Sequence, residues 1–250
     1  MTFVNMELRD GLATVRLQRG KVNALNEQVV DELSGCFREL GADPGVGGIL
    51  LTGTGKFFSF GFDIPEFLDA PKEDFARYLR KFTGLYRELF VHPRPVVAAL
   101  NGHAVAGGCM LASACDVRVM VKENARIGLN EIGFGSSVFA GSVELLRFWV
   151  GSRRAQEILY GGALYTAEQA LALGLVDAVV PEGALLAEAK GRLLELAGKS
   201  PEAFRSFKRL LRQPVAEEMH RREDASIREF VEIWYSMETR AELEKIKIRG

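Results

Sequence analysis

The longest apolar region of this chain, PVVAALNGHAVAGGCMLASACDVRVMV at residues 95–121, limits the choice of fold more than any other stretch. Asn101, His103 and Asp116 break it, so it never reaches the roughly 18 uninterrupted apolar residues that a membrane span requires. It reads instead as the interior of a soluble fold. VVAAL, bounded by Pro95 and Asn101-Gly102, has the profile of a buried strand, AGGCMLASACD turns helical, and VRVMV is strand again. Strand, glycine turn and helix N-terminus thus succeed one another around residue 107.

The flanks extend the pattern. FVNMELRDGLATVRLQR alternates apolar and polar residues on both sides of Asp10-Gly11, a strong hairpin signal, so the chain opens with two antiparallel strands. From Glu27 to Leu40, Val29, Val30, Leu33, Phe37 and Leu40 recur at helical spacing; GADPG stops them and the strand GGILLTG follows. Residues 53–66, GTGKFFSFGFDIPE, lack a clean period and read as a loop whose backbone approaches something closely. A helix is expected again from about residue 72. After residue 140 helical patterns dominate, with one strand expected at GLVDAVV (174–180) and a last long helix carrying Ile227, Phe230, Val231, Trp234 and Met237 on one stripe. Strands first and helices last predict an α/β core with a helical C-terminal part. The ending, KIKIRG, is expected to be mobile.

Composition narrows the function. With 32 Lys+Arg against 33 Asp+Glu there is no field to recruit nucleic acid or an anionic membrane. Three cysteines, Cys36, Cys109 and Cys115, show no CxxC spacing and no His pair, which argues against a disulfide framework or a zinc site and for a reduced, cytoplasmic compartment. MTFVNMELRDG is too polar for a signal peptide. TGTGKFF lacks the Ser or Thr that a P-loop places after its lysine, since Phe57 stands there. The histidines have no visible partners and read as structural or surface residues. Cys109 and Cys115 read as core, Asp116 as a carboxylate bonding local backbone, and RFWVGSRR as a solvated face.

Two positions invite chemistry. Gly107 opens a helix, so its N–H is a donor free to meet an oxygen that becomes negative; tight helix packing explains the glycines equally well. Glu131 is a lone carboxylate among isoleucine, leucine, phenylalanine and glycine in ARIGLNEIGFG. An unpaired charge in such surroundings is costly, and its pKa rises toward values suited to proton transfer; a hydrogen-bonded loop anchor is the competing reading.

Taken in order, GKFFSFGFDIPEF, RPVVAALNGHAVAGGCMLASACDVRVM, RIGLNEIGFG and YTAEQALALGLVDAVVP resemble the crotonase superfamily, the enoyl-CoA hydratase and isomerase group, over nearly the whole chain. The resemblance implies a crotonase-like spiral of ββα units, residues 1–190, with a helical C-terminal trimerisation part, residues 191–250, and a homotrimer or a dimer of trimers. It implies an acyl-CoA thioester substrate, so that coenzyme A belongs to the substrate and no separate cofactor, metal, nucleic acid or membrane is expected. The thioester oxygen would be held by the backbone N–H groups of Phe62 and Gly107. Val22, Ala24, Asp63 and Ile64 map to the coenzyme A clamp, and Gly61, Met110 and Asn130 join the expected substrate contacts.

Hydratases of the group use two glutamates. Here the first position is Met110 and only the second is kept, as Glu131; IGLNE with an apolar residue after AGGC looks like the Δ3-Δ2-enoyl-CoA isomerases. Phe62 is bulky where a small residue is common, Phe57, Phe58 and Phe60 crowd its loop, and Val138-Phe139 replaces Pro-Gly in SSVFAGSVELL. The expectation is a one-base double-bond isomerase, with a hydratase, other crotonase chemistry or a catalytically silent acyl-CoA-binding member as alternatives.

Overall fold

A computed structural model describes residues 1–246; Lys247 to Gly250, and with them most of the KIKIRG ending, lie outside the described residues. The opening hairpin pairs β1 (Val4–Arg9) with β2 (Leu12–Leu17) from Val4 opposite Leu17 to Arg9 opposite Leu12. Its two-residue turn is Asp10-Gly11, with φ of 51° and 75°, the left-handed pair that a tight hairpin with native twist requires.

Beyond the hairpin the chain alternates between two sheets. A six-stranded sheet runs β1-β2-β3-β5-β7-β9 through β3 (Gly48–Gly53), β5 (Val96–Leu100), β7 (Val117–Val121) and β9 (Ala178–Val180), and all pairs after the first are parallel. A three-stranded parallel sheet runs β4-β6-β8, with β4 at Phe57–Ser59, β6 at His103–Val105 and β8 at Ile127–Gly128. Each of β3, β5 and β7 is followed by a strand of the small sheet and then by helix. This is the expected spiral of ββα units, and it brings the ends of the three short strands to one place.

The helices follow the apolar spacing. In α1 (Glu27–Ala42) Val29, Val30, Leu33, Cys36, Phe37 and Leu40 are buried, and the Asn26 side chain caps its start by accepting from Val29 N. Further helices are α2 (Ile64–Leu68), α3 (Lys72–Phe90), α4 (Gly107–Ser113), α5 (Ala140–Gly161), α6 (Ala167–Leu173), α7 (Leu185–Ala197), α8 (Pro201–Trp234) and α9 (Met237–Leu243). α7 backs the large sheet, while α8 lies against α3 and α5.

Three expectations change. Residues 53–66 are not without regular structure: they hold β4 and α2, the latter capped by Asp63, and both are too short to show a period. The strand foreseen at 174–180 shrinks to Ala178–Val180, because Gly174, at φ 83°, is still closing α6. Ile227, Phe230, Val231 and Trp234 are buried in the protomer's own core, where Trp234 packs 4.9 Å from Phe75, whereas Met237 leaves the stripe and is 84% exposed. Among the described residues no helix is long and apolar enough to cross a membrane.

Candidate active site

The small sheet positions the site, since the residues just past the carboxyl ends of its three strands meet there. β4 runs into Gly61-Phe62, β6 into Ala106-Gly107 and β8 into Asn130-Glu131. At the first two tips the chains nearly touch. A Cβ on Gly61, whose φ is +98°, would lie 2.9 Å from Gly107 N, and one on Gly107 would lie 3.2 Å from the Phe62 ring. Only glycine permits this approach.

Both amides at this crossing are free. Leu25 N donates to Gly61 O at 2.7 Å and Asp63 N to Leu25 O at 3.3 Å, so strand alternation turns the Phe62 N–H away from that pairing. Ala106, at φ 50° and ψ −119°, caps α4 in a conformation that is strained for a non-glycine residue, and makes Gly107 the first helical residue. The Gly107 N–H therefore has no intrahelical acceptor. Neither amide donates to another group among the described residues. Two free donors, one at a helix N-terminus, suit an oxygen that gathers negative charge.

Glu131 begins a 3-10 helix, Glu131–Phe134, that closes at Gly135 with φ 74°. Its main-chain oxygen accepts from Ser136 N at 2.9 Å, which fixes the backbone and leaves the side chain unanchored. The carboxylate is 5% exposed, and its Oε2 has no partner. Burial pushes its pKa up to about 8, offset only partly by its own backbone N–H. The loop-anchor reading of Glu131 therefore rests on that one local bond to its own backbone N–H, while Oε2 is left without a partner.

Phe62, Ile64, Gly107, Met110, Asn130 and Glu131 line one cavity of about 40 Å³. That admits only a few waters. Among the described residues Glu131 is the one ionisable side chain in its wall. Met110, buried one turn beyond Gly107, receives the Ser142 hydroxyl on its sulfur at 3.1 Å and brings no exchangeable proton.

The other expected contacts stand outside this cavity. The Val22 carbonyl accepts from Phe60 N at 2.9 Å, and the Ala24 carbonyl from Arg19 Nη1 at 3.2 Å. Asp63 pairs with Arg19 at 2.6 Å while capping α2. Gly61 acts through its backbone alone. Sequence reasoning flagged Phe60 and Phe139 as departures near the pocket but missed the rest of its apolar wall, Phe134, Phe230, Trp234 and Ile246. Phe230 and Trp234 carry a helical apolar signal, but nothing local says which pocket they reach. Cys109 and Cys115 are buried and their thiols are pushed up to about 12 by that burial, as core residues and not nucleophiles. Among the described residues no cluster of His, Cys, Asp and Glu could hold a metal ion.

The family model described as enoyl-CoA hydratase/isomerase matches residues 7–246. A putative enoyl-CoA hydratase of Thermus thermophilus is 40% identical over 192 residues, 76% of this chain and 75% of that protein. The mitochondrial enoyl-CoA delta isomerase 1 of Mus musculus is 29% identical over 231 residues, 91% of this chain and 80% of that protein. The crystal structure of human mitochondrial delta3-delta2-enoyl-CoA isomerase superposes with a TM-score of 0.93 at 27% identity, covering 97% of this chain and 95% of that one.

Proposed function

The chain belongs to the enoyl-CoA hydratase/isomerase family, and from that premise we propose that it shifts the double bond of a 3-enoyl-CoA thioester to the 2-position by one-base proton transfer. The observation that carries this reading is the solitary carboxylate: among the described residues Glu131 is the cavity's one ionisable side chain, and Met110 faces the same space. In the proposed reaction Glu131 takes a proton from C2; the C2–H electron pair forms C1=C2 and the carbonyl pair moves onto the thioester oxygen, giving a dienolate conjugated with C3=C4. The Phe62 and Gly107 amides hold that oxygen, a donor of this kind contributing about a hundred- to a thousandfold. The protonated Glu131 then returns the proton at C4, giving the conjugated product and restoring the carboxylate. A raised proton affinity makes Glu131 a stronger base than an exposed glutamate.

Hydration is the second reading, favoured by relatives named as hydratases. It asks for an oriented water and a proton donor, which the Met110 thioether does not supply. Incubation with trans-3-hexenoyl-CoA and, separately, with crotonyl-CoA decides between them. Conjugation gained in the first and no water added in the second supports the isomerase; rapid hydration of crotonyl-CoA overturns it.

The Val22, Ala24, Asp63 and Ile64 segment is proposed to clamp coenzyme A, and the cytoplasm is the proposed location. A homotrimer or dimer of trimers is proposed as well. Phe207, Leu210 and Leu211 on α8, each about two-thirds exposed, are available for such a contact. Analytical ultracentrifugation that finds only monomer would exclude the assembly.

A further inference from the structure

The cavity holds a polar group for which the proposed reaction has no use. Trp234, at the end of α8, forms part of its wall, is 2% exposed, and its indole Nε1–H has no acceptor among the described residues. The rings packed on it, Phe75 at 4.9 Å and Phe230 at 5.7 Å, offer none. The other tryptophan of the chain behaves in the ordinary way, with Trp149 Nε1 donating to Ser113 O at 2.7 Å. Burying an N–H among aromatic rings is unfavourable unless something accepts it. A phenylalanine would fill the same wall without that cost.

From this geometry we infer that Trp234 is a specificity residue, and that the preferred acyl group carries a hydrogen-bond-accepting oxygen, such as a ketone, partway along its chain. An indole donates and never accepts, so the matching ligand atom must be an acceptor. Trp234 is linked to Phe62 through Phe75, with ring centres 4.9 Å and 6.5 Å apart, and along the cavity wall through Phe230 and Phe139, with ring centres 5.7 Å, 4.5 Å and 6.2 Å apart in turn. That places the accepting oxygen beyond the thioester and the reacting carbons, in a stretch of the pocket otherwise lined by Phe139, Phe230 and Ile246. A single bound water is the rival occupant. It would need two or more polar partners; the two rings supply none, but the same cavity carries the unpartnered Asn130 Oδ1 and Glu131 Oε2, so a comparison of ligands is what separates water from an acyl oxygen.

The inference rests on the acyl-CoA reading but not on turnover, so binding tests it. Titration calorimetry would compare hexanoyl-CoA with 5-oxohexanoyl-CoA, and octanoyl-CoA with 7-oxooctanoyl-CoA, on the wild type and on Trp234→Phe. One hydrogen bond gained predicts that the wild type prefers an oxo-chain by about three- to tenfold, and that in Trp234→Phe the ratio collapses toward one. A ratio near one for both chain lengths in the wild type, or an equal ratio in the variant, overturns the inference while leaving the acyl-CoA reading intact. Failure of every thioester to bind defeats both.

Should Trp234→Phe not fold, the wild type labelled with 15N-tryptophan gives the answer, with Trp149→Phe to assign its two indole signals. The Trp234 indole proton should move downfield with the oxo-ligand more than with its plain counterpart, while Trp149 stays fixed. Equal movement with both ligands means that only water meets the indole, and the inference fails.

Discussion

Two carboxylates of this molecule, Asp116 with a side chain 9% exposed and Glu131 buried, stand in opposite circumstances. Asp116, between α4 and β7, meets Lys208 Nζ at 2.7 Å and Arg212 Nη2 at 3.1 Å, and accepts from Val96 N at 2.7 Å. Burial pushes Lys208 down, and Asp116 pulls it back toward its charged form. Arg212 also donates to Phe90 O at 2.9 Å and lies over the Phe90 ring. Glu131, two short strands away, has no cation acting on it among the described residues and an oxygen without a partner. The first carboxylate fastens α8 to the sheet; the second is the one to which the proposed reaction assigns a proton. Burial alone does not tell the two apart, but the presence of partners does.

The strongest way to break this contrast is to neutralise each in turn. Glu131→Gln should lower kcat/KM for a 3-enoyl-CoA by about a hundred- to ten-thousandfold while leaving the fold intact by circular dichroism. Unchanged turnover would remove the role proposed for Glu131. Asp116→Ala should instead leave two buried cations unpaired and cost about 3–5 kcal/mol in urea unfolding. Activity per folded molecule should change little, and a pure activity loss would erase the distinction.

Titration sharpens it further. Because the folded-state pKa of Glu131 stands at about 8, above its ordinary 4.5, its contribution to stability is full below pH 4.5 and is lost as pH rises through about 8. Over that window the wild type should lose up to roughly 1.4 kcal/mol per pH unit from this group. Glu131→Gln should flatten the slope, and equal slopes would mean that Glu131 titrates as an exposed group. The acid limb of the kcat/KM profile should lie near the same pH of about 8.

The smallest effect concerns the backbone. Ala106→Gly relieves the positive φ at the tip of β6 but enlarges the entropy of the unfolded chain, for a net gain of up to about 1 kcal/mol. A loss of more than that would show that the Ala106 methyl contributes packing that outweighs its strain.

How far the sequence could be read follows from distance along the chain. The Asp10-Gly11 turn, α1, β3, β5 and β7 were legible because each is specified by a local period or a turn residue. The family was legible because four motifs recur in order. Glu131 stood out as a misfit among its neighbours, and Asp116 reads as a carboxylate bonding local backbone, whereas it accepts from Val96 N, 20 residues earlier on β5. Its ties to Lys208 and Arg212, more than 90 residues away, leave no trace in local pattern. RFWVGSRR is only partly a solvated face: Trp149 turns inward, with the Arg118 guanidinium 3.8 Å from its ring. The far wall of the cavity was hidden for the same reason, since Phe230, Trp234 and Ile246 arrive from the other end of the chain.

The three-stranded sheet has a consequence for how chemistry can change on this scaffold. Successive turns of the spiral end at one spot, yet each delivers a separable part: a main-chain donor from the first, a second donor with Met110 from the next, and Glu131 from the third. In the proposed reaction the grip on the carbonyl is written in peptide groups, which side-chain replacement does not delete. The handling of protons is written in one or two interchangeable side chains. Substitution at 110 or 131 can thus redirect the reaction without redesigning the socket that receives the thioester, a division of labour that lets one architecture host several outcomes.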